Sequence, residues 1–363
     1  MTMTNVICVG CDSHEKTLVN MIGVNREAGQ QWSVANTQRG RQRLIARLKE
    51  KADEIGGAEI VFGYEASSQG FVLHDELKAA GIECIVLAPT KIERSSKQKR
   101  NKNDKFDGQH ILNIIRSHVL AGTELPAIWV PDAQTRDDRE TVRMRHDVTE
   151  KQTVIKTQIQ MLLKRHSIEK PVEVGKSGTK SYRRWLKAMS ESQPGAGFRS
   201  ALQSLIRQLE FSEAELRRLD QDVNQLYEMP HLKPVVEALD QEVGVGRLAA
   251  VTYAVEVGDF GRFRRRQQIG AYWGLTPSSN ESGEVDDRKG HITHQGSARV
   301  RRMLCQSGWS RAKHDPGERA AYQRLVEKNP KRKKIAMVAI MRRLAIRLWH
   351  VGRKAQLEMT KAA

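Results

Sequence analysis

The fold turns on Val6–Asp12, VICVGCD. A short apolar run rich in Val and Ile predicts a buried β-strand. Asp12 stands at its carboxyl end, where open α/β sheets gather their ligands. TLVNMIGV (17–24) and QWSVANT (31–37) predict the next two strands of a meander. A helix follows near residues 38–52, with Leu44, Ile45 and Leu48 on one face. EIVFGYEAS (59–67) is another buried strand, and GFVLHDELKAAG (70–81) a helix ending at Gly81. IECIVLAP (82–89) is a strand stopped by Pro89, and AIWVP (127–131) closes the unit. Between them DKFDGQHILNIIRSHVL (104–120) is a helix with Phe106, Ile111, Leu112 and Ile115 as its apolar side. Three antiparallel-type strands followed by alternating helices and strands imply a mixed α/β sheet.

Four carboxylates stand out by position. Asp12 and Glu65 each end a buried strand, and Asp104 and Asp107 lie three apart at a helix start, on one face. If the two strands are neighbours, all four converge at one edge of the sheet. Converging carboxylates repel unless a cation neutralises them. Mg²⁺, with hard oxygen ligands, suits such a site, and Mn²⁺ is the alternative. Two such ions can activate an attacking oxygen and stabilise a leaving one in phosphodiester chemistry. Taken singly, Asp12 also reads as a turn residue and Asp104 as a helix cap. The adjoining KIERSSKQKRNKNDK (91–105) supplies Lys97, Lys99, Arg100 and Lys102, cations suited to a phosphate substrate or to a solvated loop. Cys8 and Cys11 form a C-x-x-C within the first strand, so they face opposite sides of the sheet and read as core rather than as a zinc or redox pair.

Residues 133–166 predict a long polar helix with Val148, Ile155, Ile159 and Leu162 as a narrow stripe. Residues 171–197, rich in Gly and Pro, read as a connection with at most one short helix around Trp185. Then Leu202, Leu209, Leu216 and Val223 repeat every seven residues, with Leu205, Leu219 and Leu226 between them and only Ser212 departing. This heptad predicts a coiled coil, paired either with the 133–166 helix or with a second chain. Pro230 ends it. Beyond lie two short helices around Gly244-Val245-Gly246, a basic helix in FGRFRRRQQIGAYWGL (260–275), and three further helices. In the last helix Ile335, Val338, Met341, Leu344, Ile346 and Trp349 read as core. The domains expected are 1–132, α/β and catalytic; 133–229, helical and coiled-coil; and 230–363, helical.

The net charge is +18 over 363 residues, and residues 259–363 hold 24 Lys and Arg against 9 Asp and Glu. That asymmetry points to a polyanionic partner gripped by the last third, because neutralised phosphates release counterions. Arg264, Arg265, Arg266, Arg299, Arg301 and Arg302 are the candidate clamps. No apolar run approaches the ~20 residues that span a bilayer, and MTMTNVICVGCDSHEK has no basic leader region, so a cytoplasmic, nucleoid-associated protein with no membrane partner is expected.

GCDSHEKT, YEASSQGF, RNKNDKFDG, VGVGRLAAV, GAYWGLTP and NESGE occur in this order over nearly the whole chain. Together they resemble the DEDD-type insertion-sequence transposases of the IS one-ten and IS eleven-eleven groups, relatives of the pilin-gene DNA invertases. The resemblance implies an RNase H-like, Holliday-junction-resolvase type N-terminal domain, a coiled-coil segment and a helical transposase domain. It implies that Asp12, Glu65, Asp104 and Asp107 bind Mg²⁺, and that the serine of Glu281-Ser282-Gly283 attacks DNA. It also implies a structured guide RNA that selects double-stranded DNA by pairing. Strand exchange needs at least two active sites, hence a homo-oligomer, dimer or tetramer. Two positions depart from the family pattern. Gly10-Cys11-Asp12 stands for G-I-D, and Val243-Gly244-Val245-Gly246 for P-G-I-G, a turn like that of a helix-hairpin-helix in which Gly244 and Gly246 let backbone approach phosphate. On the residues alone, Ser278, Ser279 and Ser297 compete with Ser282. Two other classes also stay open: a metal-dependent structure-selective nuclease without a covalent intermediate, and a non-catalytic nucleic-acid binder.

Overall fold

The computed structural model describes residues 5–92, 104–279, 289–327 and 329–362, the side chains of residues 104–106, 279, 289 and 362 excepted. The chain forms two compact units, Met1–Val130 and Pro131–Ala363.

The first unit is built on a five-stranded sheet: β1 (Asn5–Ser13), β2 (Thr17–Val24), β3 (Gln30–Ala35), β4 (Ala58–Glu65) and β5 (Glu83–Leu87). The spatial order is β3-β2-β1-β4-β5. The first three strands form an antiparallel meander, and β4 and β5 run parallel to β1. Helix α1 (Gln38–Glu54) starts at Thr37, whose hydroxyl accepts from the Gly40 amide, and connects β3 to β4. Helix α2 (Val72–Ala79) connects β4 to β5. Strand alternation sorts the core by face. Ile7, Val9, Cys11, Ile60, Phe62 and Tyr64 pack with Leu44, Leu48, Leu73 and Leu77 of α1 and α2. Val6, Cys8 and Val61 pack instead with Ile111, Leu112 and Ile115 of α3 (Asp104–Ala121). The two cysteines thus lie on opposite faces, both buried as core. The stretch 127–131 makes only an isolated bridge between Ala127 and Leu87 rather than the closing segment of a strand.

The second unit begins with α4 (Ala133–Arg165), capped by Asp132, which accepts from the Thr135 amide. Helices α5 (Lys180–Ser192) and α6 (Ala196–Glu228) follow. The heptad finds its partner within the chain. Ile155, Ile159 and Leu162 of α4 share one core with Leu202, Ile206 and Leu209 of α6, and α5 closes over it through Tyr182 and Leu186. The Arg145–Asp220 ion pair, 2.9 Å, sets an antiparallel register. Ser212, the one polar seam residue, is buried and donates to the Leu209 carbonyl at 2.8 Å, so it costs no orphaned hydroxyl.

The remaining helices are α7 (Lys233–Asp240), α8 (Arg247–Val257), α9 (Arg266–Tyr272), α10 (Ala298–His314), α11 (Pro316–Glu327) and α12 (Lys333–Ala362). The basic stretch is thus helical only from Arg266 on. A short ribbon, β6 (Pro277–Ser279) and β7 (Lys289–Ile292), is antiparallel. Helix α8 is buried almost all round, and α12 contributes Ala336, Met337, Ile340, Met341, Leu344, Ala345, Leu348 and Trp349. Ile335, expected in that core, is instead 64% exposed, because the buried stripe of α12 starts one residue later. Helix α4 is fastened to the end of α8. Arg139 donates to the Val255 and Glu256 carbonyls at 2.7 and 2.9 Å, satisfying acceptors that the helix end leaves open. Arg143 forms a two-pronged pair with the buried Glu256 carboxylate at 2.9 and 3.0 Å.

Candidate DNA-processing site

The carboxylates are positioned by strand register. The last paired residues of the central parallel strands are Cys11 and Tyr64. One step further, Asp12 and Glu65 stand side by side at the carboxyl ends of β1 and β4. Both lie on the α3 face, since Cys8 and Gly10 precede Asp12 in phase, and Val61 and Gly63 precede Glu65.

Two glycines bring α3 down onto that edge. A Cβ at Gly10 would overlap the Leu112 amide nitrogen and the Gly108 carbonyl oxygen. One at Gly63 would sit 2.5 Å from the Ile115 side chain. Helix backbone therefore touches strand backbone two residues before Asp12. The first turn of α3, which carries Asp104 and Asp107, is delivered to the strand ends. Asp107 is half-buried there.

Asp12 is 20% exposed, and the Nε2 of His14 lies 3.2 Å from its Oδ2. Sequence reasoning misses His14. The signal that could have found it is spacing, because two residues past Asp12 an extended chain presents a side chain to the same face. Among the described residues no three His, Cys, Asp or Glu side chains are assembled closely enough to hold an ion. Three of the four acids have described side chains, and all of them are hard oxygen donors, so the donor chemistry fits a cation of the Mg²⁺ or Mn²⁺ kind.

In the second unit, Arg264, Arg265 and Arg266 are exposed. The other three arginines are engaged within the chain. Arg299 pairs with Asp147 at 2.7 Å and Arg302 with Glu150 at 2.7 Å, tying α10 to α4. Arg301 donates to the carbonyls of Trp273, Gln295 and Gly296. Gly244 has φ +85°, and a Cβ there would lie 2.6 Å from the Ser307 carbonyl and 2.8 Å from the Arg311 nitrogen. Its lack of a side chain is thus required by packing on α10. Gly246 precedes α8 as its cap, and open space lies where a side chain would stand.

Ser282 falls between β6 and β7, outside the described residues, as do Lys97, Lys99, Arg100 and Lys102. Of the competing serines, Ser278 donates to the His291 carbonyl at 3.1 Å, and Ser297 caps α10 by accepting from Val300. Both hydroxyls hold local structure.

Residues 9–168 match the DEDD-type IS110 transposase family, and residues 236–323 match the Transposase IS116/IS110/IS902 family. The Sinorhizobium fredii protein y4qE, whose name assigns it provisionally to the transposases, is 30% identical over 363 residues, covering 92% of this chain and 84% of the relative. A second such protein of that organism, y4rJ, is 27% identical, covering 84% and 80%. The transposase for insertion sequence element IS1533 of Leptospira borgpetersenii is 23% identical, covering 85% and 86%. The chain therefore belongs to the IS116/IS110/IS902 family of transposases, enzymes that cut and rejoin DNA to move an insertion sequence.

Proposed function

We propose that the first unit is an RNase H-like nuclease domain whose Asp12, Glu65, Asp104 and Asp107 hold Mg²⁺ or Mn²⁺, and that Ser282 is the nucleophile of strand exchange. The observation that carries this reading is that Asp12 and Glu65 each lie one residue past the last registered pair of two adjacent parallel strands, beside the helix that bears the other two acids. The strand order β3-β2-β1-β4-β5 supports the fold assignment.

A bound cation would lower the charge on the attacked phosphate and on the departing oxygen. The chain's own residues do the rest. The four acids orient the site and keep it at the sheet edge, and Arg264, Arg265 and Arg266 grip the DNA backbone without reading sequence. Ser282 Oγ forms a bond to phosphorus as a sugar oxygen–phosphorus bond breaks. The serine proton ends on the freed sugar hydroxyl. That hydroxyl, or another strand's, attacks the phosphoserine in reverse and restores the serine. Bond energy is conserved in the ester, so no nucleotide cofactor is consumed. The family resemblance adds target choice by a structured guide RNA and assembly of at least two subunits.

The test incubates the full-length protein with end-labelled element-junction DNA, guide RNA and Mg²⁺, and looks for an SDS-stable adduct. The adduct is expected in wild type. Ser282→Ala should lack it while binding DNA equally well, and Asp12→Asn should lack it too. Cleavage without any adduct would favour hydrolysis by water and remove Ser282 from the chemistry.

A further inference from the structure

We propose that His14 is a nitrogen ligand of the divalent cation held at Asp12. The cation site then has a mixed oxygen–nitrogen donor set and favours Mn²⁺ over Mg²⁺ more than carboxylates alone would. This inference rests on the cation reading above.

Neighbouring donors on a six-coordinate ion with bonds of ~2.1 Å stand about 3.0 Å apart, the diagonal of a right angle. His14 Nε2 and Asp12 Oδ2 are 3.2 Å apart. Two groups so placed have close to the separation that neighbouring ligands of one ion require.

The His14 side chain is 41% exposed. Its Nε2 is nevertheless withdrawn from solvent. An imidazole serving only as a surface group would turn that nitrogen to water. Here the exposure falls on other atoms of the ring, and Nε2 lies beside the carboxylate. Ligation uses the ring with its hydrogen on Nδ1, leaving the Nε2 lone pair for the ion.

The turn between β1 and β2 is tied to residues at the starts of α1 and α2. The His14 amide donates to the Thr17 carbonyl at 2.9 Å. Asn36 Nδ2 donates to the His14 carbonyl at 2.9 Å and to Gln69 Oε1 at 2.8 Å. Arg41 Nη1 donates to Asn36 Oδ1 at 3.0 Å, and Arg41 is itself clamped by both oxygens of Glu76. A chain of side-chain hydrogen bonds spanning three elements fixes the backbone position of one turn histidine. A donor atom must be placed to within a fraction of an ångström, and such outer contacts provide that placement. Imidazole nitrogen is a poor partner for Mg²⁺ and a better one for transition ions, which gives the expected preference.

The experiment uses the full-length protein with Mn²⁺ alone as the probe. Pulsed electron paramagnetic resonance of the bound ion reads nitrogen coupling directly. Wild type is expected to show one nitrogen coupling that changes isotope signature when histidine is ¹⁵N-labelled. His14→Ala should lose that coupling and bind Mn²⁺ at least ~10-fold more weakly, with a smaller loss for Mg²⁺ measured by competition. An unchanged melting temperature in the variant shows that the fold is intact. Mn²⁺ that is bound, is lost in Asp12→Asn, yet shows no histidine nitrogen would overturn the role of His14 and spare the carboxylate site. A coupling that survives His14→Ala would overturn it as well. Mn²⁺ binding indifferent to Asp12→Asn would bring down the cation reading itself, and this proposal with it.

Discussion

Gly10 lets helix α3 seat on the sheet two residues before Asp12. Its hydrogen faces helix α3 at backbone contact, and any Cβ must push the helix off the sheet. Gly10→Ala should destabilise the protein by roughly 1–3 kcal/mol, as overpacking does, read as a lower urea midpoint. It should also weaken Mn²⁺ binding although it touches no ion, because it moves the helix turn carrying Asp104 and Asp107. Equal Mn²⁺ affinity in a folded Gly10→Ala protein would show that α3 does not set the site. Cys11, beside Asp12, faces the opposite core, and burial pushes its thiol well above the ordinary range, so it stays a protonated packing group.

At the scale of elements, the helical hairpin is locked at its base. Helix α4 carries Arg139 and Arg143 to the end of α8, and Asp147 and Glu150 to Arg299 and Arg302 of α10. Between these pairs His146 is buried, with Nε2 3.3 Å from the Thr252 hydroxyl. Burial lowers its pKa, and the nearby Arg145, Arg299 and Arg302 lower it further, against an opposing effect of Glu256. The unfolded chain, with an ordinary histidine near ~6.5, therefore takes up a proton before the folded one does. Stability must fall as pH drops below about 6.5 and level off below the depressed folded value. His146→Gln should narrow the difference in melting temperature between pH 7.5 and pH 5.5; an unaltered difference would exclude His146 as its source. Arg143→Ala would leave the Glu256 carboxylate buried without its pair, at a cost of ~3–5 kcal/mol, seen in thermal melts.

For the whole molecule, the net charge of +18 suits a polyanionic partner. Because Arg299, Arg301 and Arg302 are committed to internal partners, the exposed Arg264, Arg265 and Arg266 should carry more of the grip on phosphate. Replacing these three by Gln should flatten the plot of log affinity against log salt by up to about 0.9 for each phosphate no longer neutralised, with little change in melting temperature. Replacing Arg299 and Arg302 should do the reverse, lowering the melting temperature by breaking the α4–α10 ion pairs and leaving the salt slope closer to wild type. No helix among the described residues is long and apolar enough to cross a membrane.

Local pattern alone determined much of this protein. Strand and helix positions follow from runs such as VICVGCD and from the heptad through Leu202 and Leu209, because period and composition are properties of neighbouring residues. Asp12 and Glu65 were legible as strand-end acids for the same reason. Tertiary structure alone decided that their strands are adjacent, that the heptad pairs with α4 of its own chain, that Ile335 misses the core, and which arginines remain exposed. Each of these depends on what lies across a gap of tens to hundreds of residues. A side chain's spacing states which face it shares, and only the packed chain supplies the group that meets it there.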